Sequence, residues 1–588
     1  MIHIQRCPKS YVYDQDKAVS PAVTVTRVKE VLGRFDTDIL VKTQRIDTGR
    51  LGIPVYLSVC GEAARGIMST HQQMGKGVSA AQAEASALME LVERFSFFSF
   101  WANDDHFISS TFSEAEALAV AGILPGPDAC ISVDNILCSV DENLDHGLAR
   151  QLLDMVPWRF YPATNLATGS EEWVPLNWFR CLGEFNGSSA GNTPEESILQ
   201  GGCELVERHV CAIVDRERPT LPTIDPSSLD DPVLSKLYTC FTNNGLKVLL
   251  KDFTLNISVP TVGAAVWDPA TFPGLSEIVF TAGTATSPAK AAIRALTEVA
   301  QLGGDFATGA GYEASGLSKL IALEELDWLA VGPGVPLASL ASIEAGDIGE
   351  ELKCMVDCLA RRGYPFYSVD ISHPKLGLAA HYNFVPGFQF RERDRHASIG
   401  LFVGRILAEE LLPSDAPEAA ERAFSFLESV YDGAHFIPFF RAIYGLRTGD
   451  HLTAARLFRE AELLQPDADS RGLAAFYAGY ARTIMKDWLG AMPDLDRAIQ
   501  YCAEVKGYWN LRGVARYKQG LYAEAAQDFS RALDIDRGSA VDLANLGICH
   551  RFMGQPKKAL YFLDAALALD PSLDFVRQHL NELTGIGA

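Results

Sequence analysis

The pentapeptide Glu-Leu-Val-Glu-Arg occurs twice, at Glu90–Arg94 and at Glu204–Arg208, each time inside an otherwise apolar stretch. Around the first copy, Gln82, Ser86, Glu90 and Glu93 recur at i, i+4, i+8 and i+11; around the second, Glu196, Gln200, Glu204 and Glu207 repeat that spacing. At 3.6 residues per turn each set forms one narrow polar stripe on a helix. A third stripe, Arg294, Glu298 and Gln301, falls at i, i+4 and i+7 among alanines and leucines. Taken singly, each stripe reads as a solvated face with i,i+4 Glu–Arg pairs, such as Glu90–Arg94 or Glu204–Arg208. Each helix is apolar on most of its circumference, however, and buried carboxylates are costly unless paired or metal-bound. Two facing stripes would gather Glu90, Glu93, Glu196, Glu204 and Glu207. Only hard cations or many basic groups keep such a set together. Mg2+ takes oxygen ligands and rides on nucleotide phosphates, and Arg208 and Arg294 suit phosphate by bidentate contact. The constellation therefore points to a magnesium–nucleotide site built on helices. It is not of the P-loop kind, because no G-x-x-x-x-G-K-[ST] occurs and "GKGVS" at Gly75 only imitates its ending.

The helices that carry the stripes have legible starts. Ser79 is the predicted N-cap of the first, with Gln82 closing a capping box. Thr193 caps the second, with Pro194 in its first turn and Glu196 at the capping-box position; Ser287 and Pro288 open the third. Ser20–Pro21 marks a fourth start, with Lys17 and Thr24 at its entrance. Gly/Ser/Thr-rich turns precede the stripe helices, a geometry that presents backbone N–H groups to an anion.

Residues 1–412 mix such helices with β-rich runs ("GLKVLLKDF", "IVFTAGTA", "PFYSVDI"), which predicts an α+β domain. Residues 413–588 form a second domain. Gly479, Gly513 and Gly547 lie 34 residues apart, as do Ala491, Ala525 and Ala559, then Leu495, Phe529 and Leu563, then Ala498, Ala532 and Ala566. That is the helix–turn–helix tetratricopeptide pattern, an all-α array. An earlier unit with Ala454, Phe458, Ala461 and Pro466 sits three residues out of step, which predicts a longer loop at "DADSRG". Such arrays bind another chain on a concave face, or dock on their own first domain. "LLPSDAPEAAERAF" reads as the join, and "TGIGA" as a frayed end.

Net charge is −23, from 74 acidic and 51 basic residues, which argues against direct binding of nucleic acid. No apolar h-region opens the chain and no apolar run is long enough to span a bilayer, so a cytoplasmic protein without a membrane partner is expected. The twelve cysteines include no C-x-x-C pair, and Cys354 and Cys358 come nearest, one helical turn apart. Buried reduced thiols are expected rather than a zinc site or a disulfide framework.

Four motifs in order resemble the YcaO family: S-x-x-x-E-x-x-E-R at Ser86–Arg94, N-x-x-x-E at Asn192–Glu196, E-x-x-E-R at Glu204–Arg208 and R-x-x-x-E-x-x-Q at Arg294–Gln301. The resemblance spans about residues 1–410. It implies a nucleotide fold that is neither kinase-like nor P-loop, with ATP and Mg2+ as cofactors. Glu90, Glu93, Glu196, Glu204 and Glu207 would hold Mg2+, and Ser86, Asn192, Arg208, Arg294 and Glu298 would contact ATP. Lys17, Thr24 and Ser189 are matched to further nucleotide contacts on shorter motifs. No catalytic residue is assigned apart from this set. The implied chemistry is phosphorylation of a peptide amide oxygen, leading to an azoline or a thioamide. The implied partners are a peptide or protein substrate, a second copy of the chain in a homodimer, and a protein held by the repeats.

Azoline-forming members end in a proline-rich P-x-P-x-P tail; this chain ends "NELTGIGA" after a repeat array. A folded C-terminal extension resembles instead the branch linked to β-methylthiolation of a ribosomal protein, as an accessory factor, and leaves room for thioamidation. Two other readings use the same residues. A nucleotide-sensing scaffold would carry its function in the repeats, and a metal-dependent hydrolase would bind metal without preferring ATP.

Overall fold

The computed structural model describes every residue except 36, 37, 69, 125, 128, 310, 315, 392–395, 414, 537 and 585–588. The expected frayed end therefore lies almost wholly outside the described residues. The chain divides into two compact units, Met1–Ser398 and Ile399–Ala588.

The first unit holds three sheets. Strands β1 (Leu40–Arg45), β2 (Val55–Cys60) and β3 (Gln72–Lys76) form an antiparallel meander. A second sheet contains β4 (Ile108–Ser110), β5 (Trp158–Asn165), β6 (Glu171–Pro175) and β7 (Ser188–Gly191). The third contains β8 (Thr223–Ile224), β9 (Lys247–Asp252), β10 (Thr261–Trp267), β11 (Val279–Thr284) and β12 (Gly334–Val335) in the order β11-β10-β9-β8-β12. Strands β13 (Tyr367–Asp370) and β14 (Ala379–Phe384) complete the second sheet as β4-β5-β13-β14-β7, with β6 on β5. All pairings are antiparallel except β8–β12. The three quoted β-rich runs are β9, β11 and β13, and the unit is α+β as expected.

Four helices matter for the site: α1 (Pro21–Gly33), α2 (Ala80–Trp101), α3 (Pro194–Glu217) and α4 (Pro288–Gly303). Strand β3 leads into α2, β7 into α3 and β11 into α4, and each of those strands is an edge of its sheet. Gly75 in β3 and Gly283 in β11 set how closely strand and helix approach. A Cβ on Gly75 would stand 2.0 Å from the Ala87 nitrogen, and one on Gly283 2.4 Å from the Ala295 nitrogen. No side chain fits either place.

The second unit is a run of paired helices from Ile399–Ile406 to Asp574–Thr584. Gly479, Gly513 and Gly547 face Leu495, Phe529 and Leu563 of their own pairs, so the repeat positions read from the sequence are the interhelical contacts. One expectation is corrected. The residues "DADSRG" are not a loop: Asp467 caps the helix Ala468–Ile484, whose 17 residues exceed the 13 of Lys506–Lys518 and Ala540–Phe552. The frame shift is thus taken up as about one extra helical turn. Upstream of Leu412, Gly400 lies against Tyr431 and Gly404 against Phe440. Proline and acid mark the joint in the chain, but the apolar helix before it packs onto the helices that follow.

Candidate functional site

Helix α2 is capped by Ser79, whose Oγ accepts from the Gln82 amide at 3.2 Å, but Gln82 Oε1 makes no bond back and the expected capping box is only half formed. Its apolar residues, Ala83, Ala87, Leu88, Leu91, Val92 and Phe95, are buried. The residues left over are the stripe, and Gln82, Ser86, Glu90 and Glu93 line one cleft. Helix α3 is capped by Thr193, whose Oγ1 accepts from the Glu196 amide at 3.2 Å, and it presents Glu196, Gln200, Glu204, Glu207 and Arg208 to that cleft. Helix α4 adds Arg294, Glu298 and Gln301. Ser287 sits at its N-cap but makes no side-chain cap bond, which corrects the expectation there. Lys17 and Thr24 line the cleft from the N-terminal segment and α1, and Asn192 from the turn before α3.

Ser189 is the exception. Successive strand residues face opposite sides. In β7 this turns Ser188 and Ala190 to the cleft, while Ser189 Oγ donates to the Ser197 carbonyl at 2.7 Å behind it. Ser188 instead donates to Glu93 Oε1 at 2.7 Å. Strand periodicity was the signal that separates the two serines.

Polar contacts tie the elements together across the cleft. Thr24 Oγ1 donates to Asn192 Oδ1 at 3.0 Å, and Asn192 Nδ2 to Glu196 Oε1 at 2.9 Å. Glu204 accepts the Gly187 amide at 3.2 Å and Glu207 the Thr284 amide at 3.0 Å. Val78 N–H donates to Asp14. The turn amides at Val78, Asn192 and Thr284 are therefore held by the protein's own carboxylates.

The walls carry six carboxylates, Glu90, Glu93, Glu196, Glu204, Glu207 and Glu298, and five cations, Lys17, Lys76, Arg94, Arg208 and Arg294. Charge is nearly balanced, but three of the pairs are loose: Lys17–Glu196 and Arg208–Glu204 stand at 3.7 Å and Arg94–Glu93 at 3.5 Å. Burial, only partly countered by Arg94, pushes the Glu93 carboxyl up to about 8, with Glu204 and Glu90 adding to it. Glu90 is raised by burial against the pull of Arg94 and Lys76. Lys76 is lowered to about 8 by burial and by Arg294. Burial opposes the Arg208 charge, yet Glu207 and Glu204 outweigh it and raise its pKa.

Sequence reasoning missed Lys76. It lies in "GKGVS", dismissed as a P-loop imitation, yet its amine forms an ion pair with Glu298 inside the cleft. Arg294 donates instead to Gln200 Oε1 at 2.7 Å. Arg94 and Gln15 are further cleft residues that carried no assignment.

The residues fit a nucleotide with a divalent cation. Gln82 Oε1 and one Arg94 terminal nitrogen are buried without hydrogen-bond partners. Among the described residues, no three acidic, histidine or cysteine side chains come close enough to hold a metal by themselves. The glutamates line the cleft as separate oxygen donors instead of a closed ligand set.

Residues 74–389 match the family model described as YcaO cyclodehydratase, ATP- and Mg2+-binding, and residues 507–539 match a tetratricopeptide repeat. An uncharacterized protein of Methanothermobacter thermautotrophicus is 30% identical over 297 residues, 48% of this chain and 70% of that protein. A solved heterocyclase in complex with substrate and cofactor is similar in fold at a TM-score of 0.51 and 21% identity, over 66% of this chain. This chain spans about half of that heterocyclase's length, 54%. YcaO from Methanopyrus kandleri, bound with AMPPCP and Mg2+, is similar at a TM-score of 0.49 and 21% identity over 65% of this chain and 94% of that one. More than half of the chain matches that one family model and its four motif segments meet at one cleft, so the chain belongs to the YcaO family, whose cofactors are ATP and Mg2+.

Proposed function

We propose that this protein is an ATP- and Mg2+-dependent enzyme that activates an amide of a peptide or protein. The observation that carries this is the convergence of three edge-strand–helix units, each from a different sheet, on one cleft lined by carboxylates and cations. The cleft's cavity volume is about 250 Å3, near the lower end of the range of about 300–1,000 Å3 usual for one small ligand.

In this reading Arg294, Arg208, Lys17 and Arg94, which line the cleft, would bind phosphate oxygens, and Ser86, Thr24, Asn192 and Glu298 would hold the rest of the nucleotide. Glu90, Glu93, Glu196, Glu204 and Glu207 would supply oxygen donors for Mg2+, which when bound offsets charge on the transferred phosphoryl group. A nucleophile adds to the amide carbonyl carbon, the carbonyl oxygen takes the γ-phosphoryl group and ADP is released. The carbon–oxygen bond then breaks and phosphate leaves. A side-chain thiol or hydroxyl as nucleophile gives an azoline; sulfide gives a thioamide. The folded helical array that follows the YcaO domain favours thioamide formation or an accessory role in methylthiolation over azoline formation. The repeats would hold the client or a partner protein.

Calorimetric titration of the full chain with ATP and Mg2+ tests this reading. Saturable binding that needs both is expected. Metal binding indifferent to ATP would replace it with the hydrolase reading, and nucleotide binding without turnover in the presence of client with the scaffold.

A further inference from the structure

The cleft takes Gln15 and Lys17 from a segment with no helix and only isolated bridges, Pro8 to Asp347 and Tyr11 to Lys17. Asp16, between them, does not line the main cleft. Its carboxylate meets Lys9 Nζ at 2.9 Å and Lys290 Nζ at 2.5 Å. Lys9 also reaches Glu351 at 2.6 Å, and Lys290 reaches Glu344 at 3.0 Å. Glu351 is fully buried, and Asp16 and Lys9 are 6% and 5% exposed.

We propose that Asp16 and Lys290 are a positioning pair that fixes Lys17 relative to Arg294 across the nucleotide cleft. The proposal rests on the nucleotide reading above. Lys290 stands one turn before Arg294 on α4, so the cross-link joins the two cationic walls at their roots. The next amide after Lys17, that of Ala18, donates to Glu196 Oε2 at 2.9 Å, so the same short segment also sets a carboxylate. A carboxylate gripped by two ammonium groups from different elements has one orientation. An apolar contact in the same place would leave the segment free to slide, and buried ionic groups of this kind confer register more than stability.

The test uses the full chain and four variants: Asp16→Asn, Lys290→Met, the double variant and Asp16→Glu. Each single neutralisation is expected to weaken Mg–ATP binding by about tenfold or more, as small displacements of binding groups do. It should raise KM for ATP while kcat at saturation changes by less than about threefold. The double variant should lose no more than the worse single, because either change opens the same link. Asp16→Glu should recover part of the loss. Hydrogen exchange at the Ala18 amide gives a readout that needs no nucleotide, and both single variants should lose protection there. Unchanged ATP affinity in the single variants, additive losses in the double, or intact Ala18 protection would each overturn the pair. Wild type that fails to bind ATP would count against the nucleotide reading, while the exchange result would still decide the link.

Discussion

Three glutamates of the cleft and the buried acids of the repeat array are held in opposite ways. In the repeat array, Asp494 is gripped by both forks of Arg459 at 2.7 and 2.8 Å and by Arg497 at 2.7 Å. Asp528, 34 residues on, is held by Arg512 at 2.7 Å and Arg516 at 2.8 Å. Glu462 has its own fork from Arg497, at 2.7 and 2.9 Å. In the cleft, the side-chain ion pairs of Glu93, Glu196 and Glu204 stand at 3.5–3.7 Å, and Glu93 is held far above the carboxylate range. A carboxylate whose charge is closed by a bidentate guanidinium is a structural part. One held loosely among cations, at the mouth of a cavity, has coordination left for a ligand.

The largest expected effect comes from the cleft. Glu204→Gln and Glu90→Gln should each lower Mg2+-dependent ATP turnover by about 10²-fold or more, as loss of a charge-stabilising group does. Their circular dichroism spectra should match wild type, because one negative charge leaves a crowded set. Unaltered turnover in both would dissolve the distinction between the two kinds of carboxylate.

Asp494→Ala should do the reverse. Removing one partner of a buried ion pair costs about 3–5 kcal/mol, and the lower end applies because Arg459 and Arg497 keep 39% and 35% of their side-chain surface exposed. The array should unfold earlier in a denaturant series while ATP binding by the full chain stays as it was.

Arg294→Lys should weaken ATP binding by about tenfold, since a point charge cannot replace the guanidinium fork. Equal affinity would mean that Arg294 serves only its contact with Gln200.

The smallest effect is a slope. Because the folded pKa of Glu93 is raised to about 8 from 4.5, the folded state holds a proton that the unfolded chain releases between those values. Metal-free stability should therefore fall as pH rises from about 4.5 to 8. Glu93→Gln should flatten that part of the profile, measured as the difference from wild type in unfolding midpoints. A profile identical in both proteins would show that Glu93 ionises normally.

The helical stripes were legible because α2, α3 and α4 are apolar on most of their circumference, which leaves the polar period of 3.6 standing out. The tetratricopeptide frame was legible for a related reason: Gly479, Gly513 and Gly547 must admit Leu495, Phe529 and Leu563 at a fixed offset. Lys76 was not legible, because a lysine in a glycine turn has no period. Nor was the grip of Asp16 on Lys9 and Lys290, which joins residues up to 274 apart in the chain.

Local sequence thus determined which helices form, where most of them start and which face of each is polar. Those follow from caps, prolines and apolar period within single segments. Tertiary structure alone decided that three edge strands from three sheets bring those faces to one cleft, and which side of β7 meets it. It also decided that Glu298 pairs with Lys76 rather than with Arg294 one turn away. The physical reason is that pairing partners are chosen by proximity in space and by what burial leaves uncompensated, and neither quantity is written in the spacing of residues along one helix.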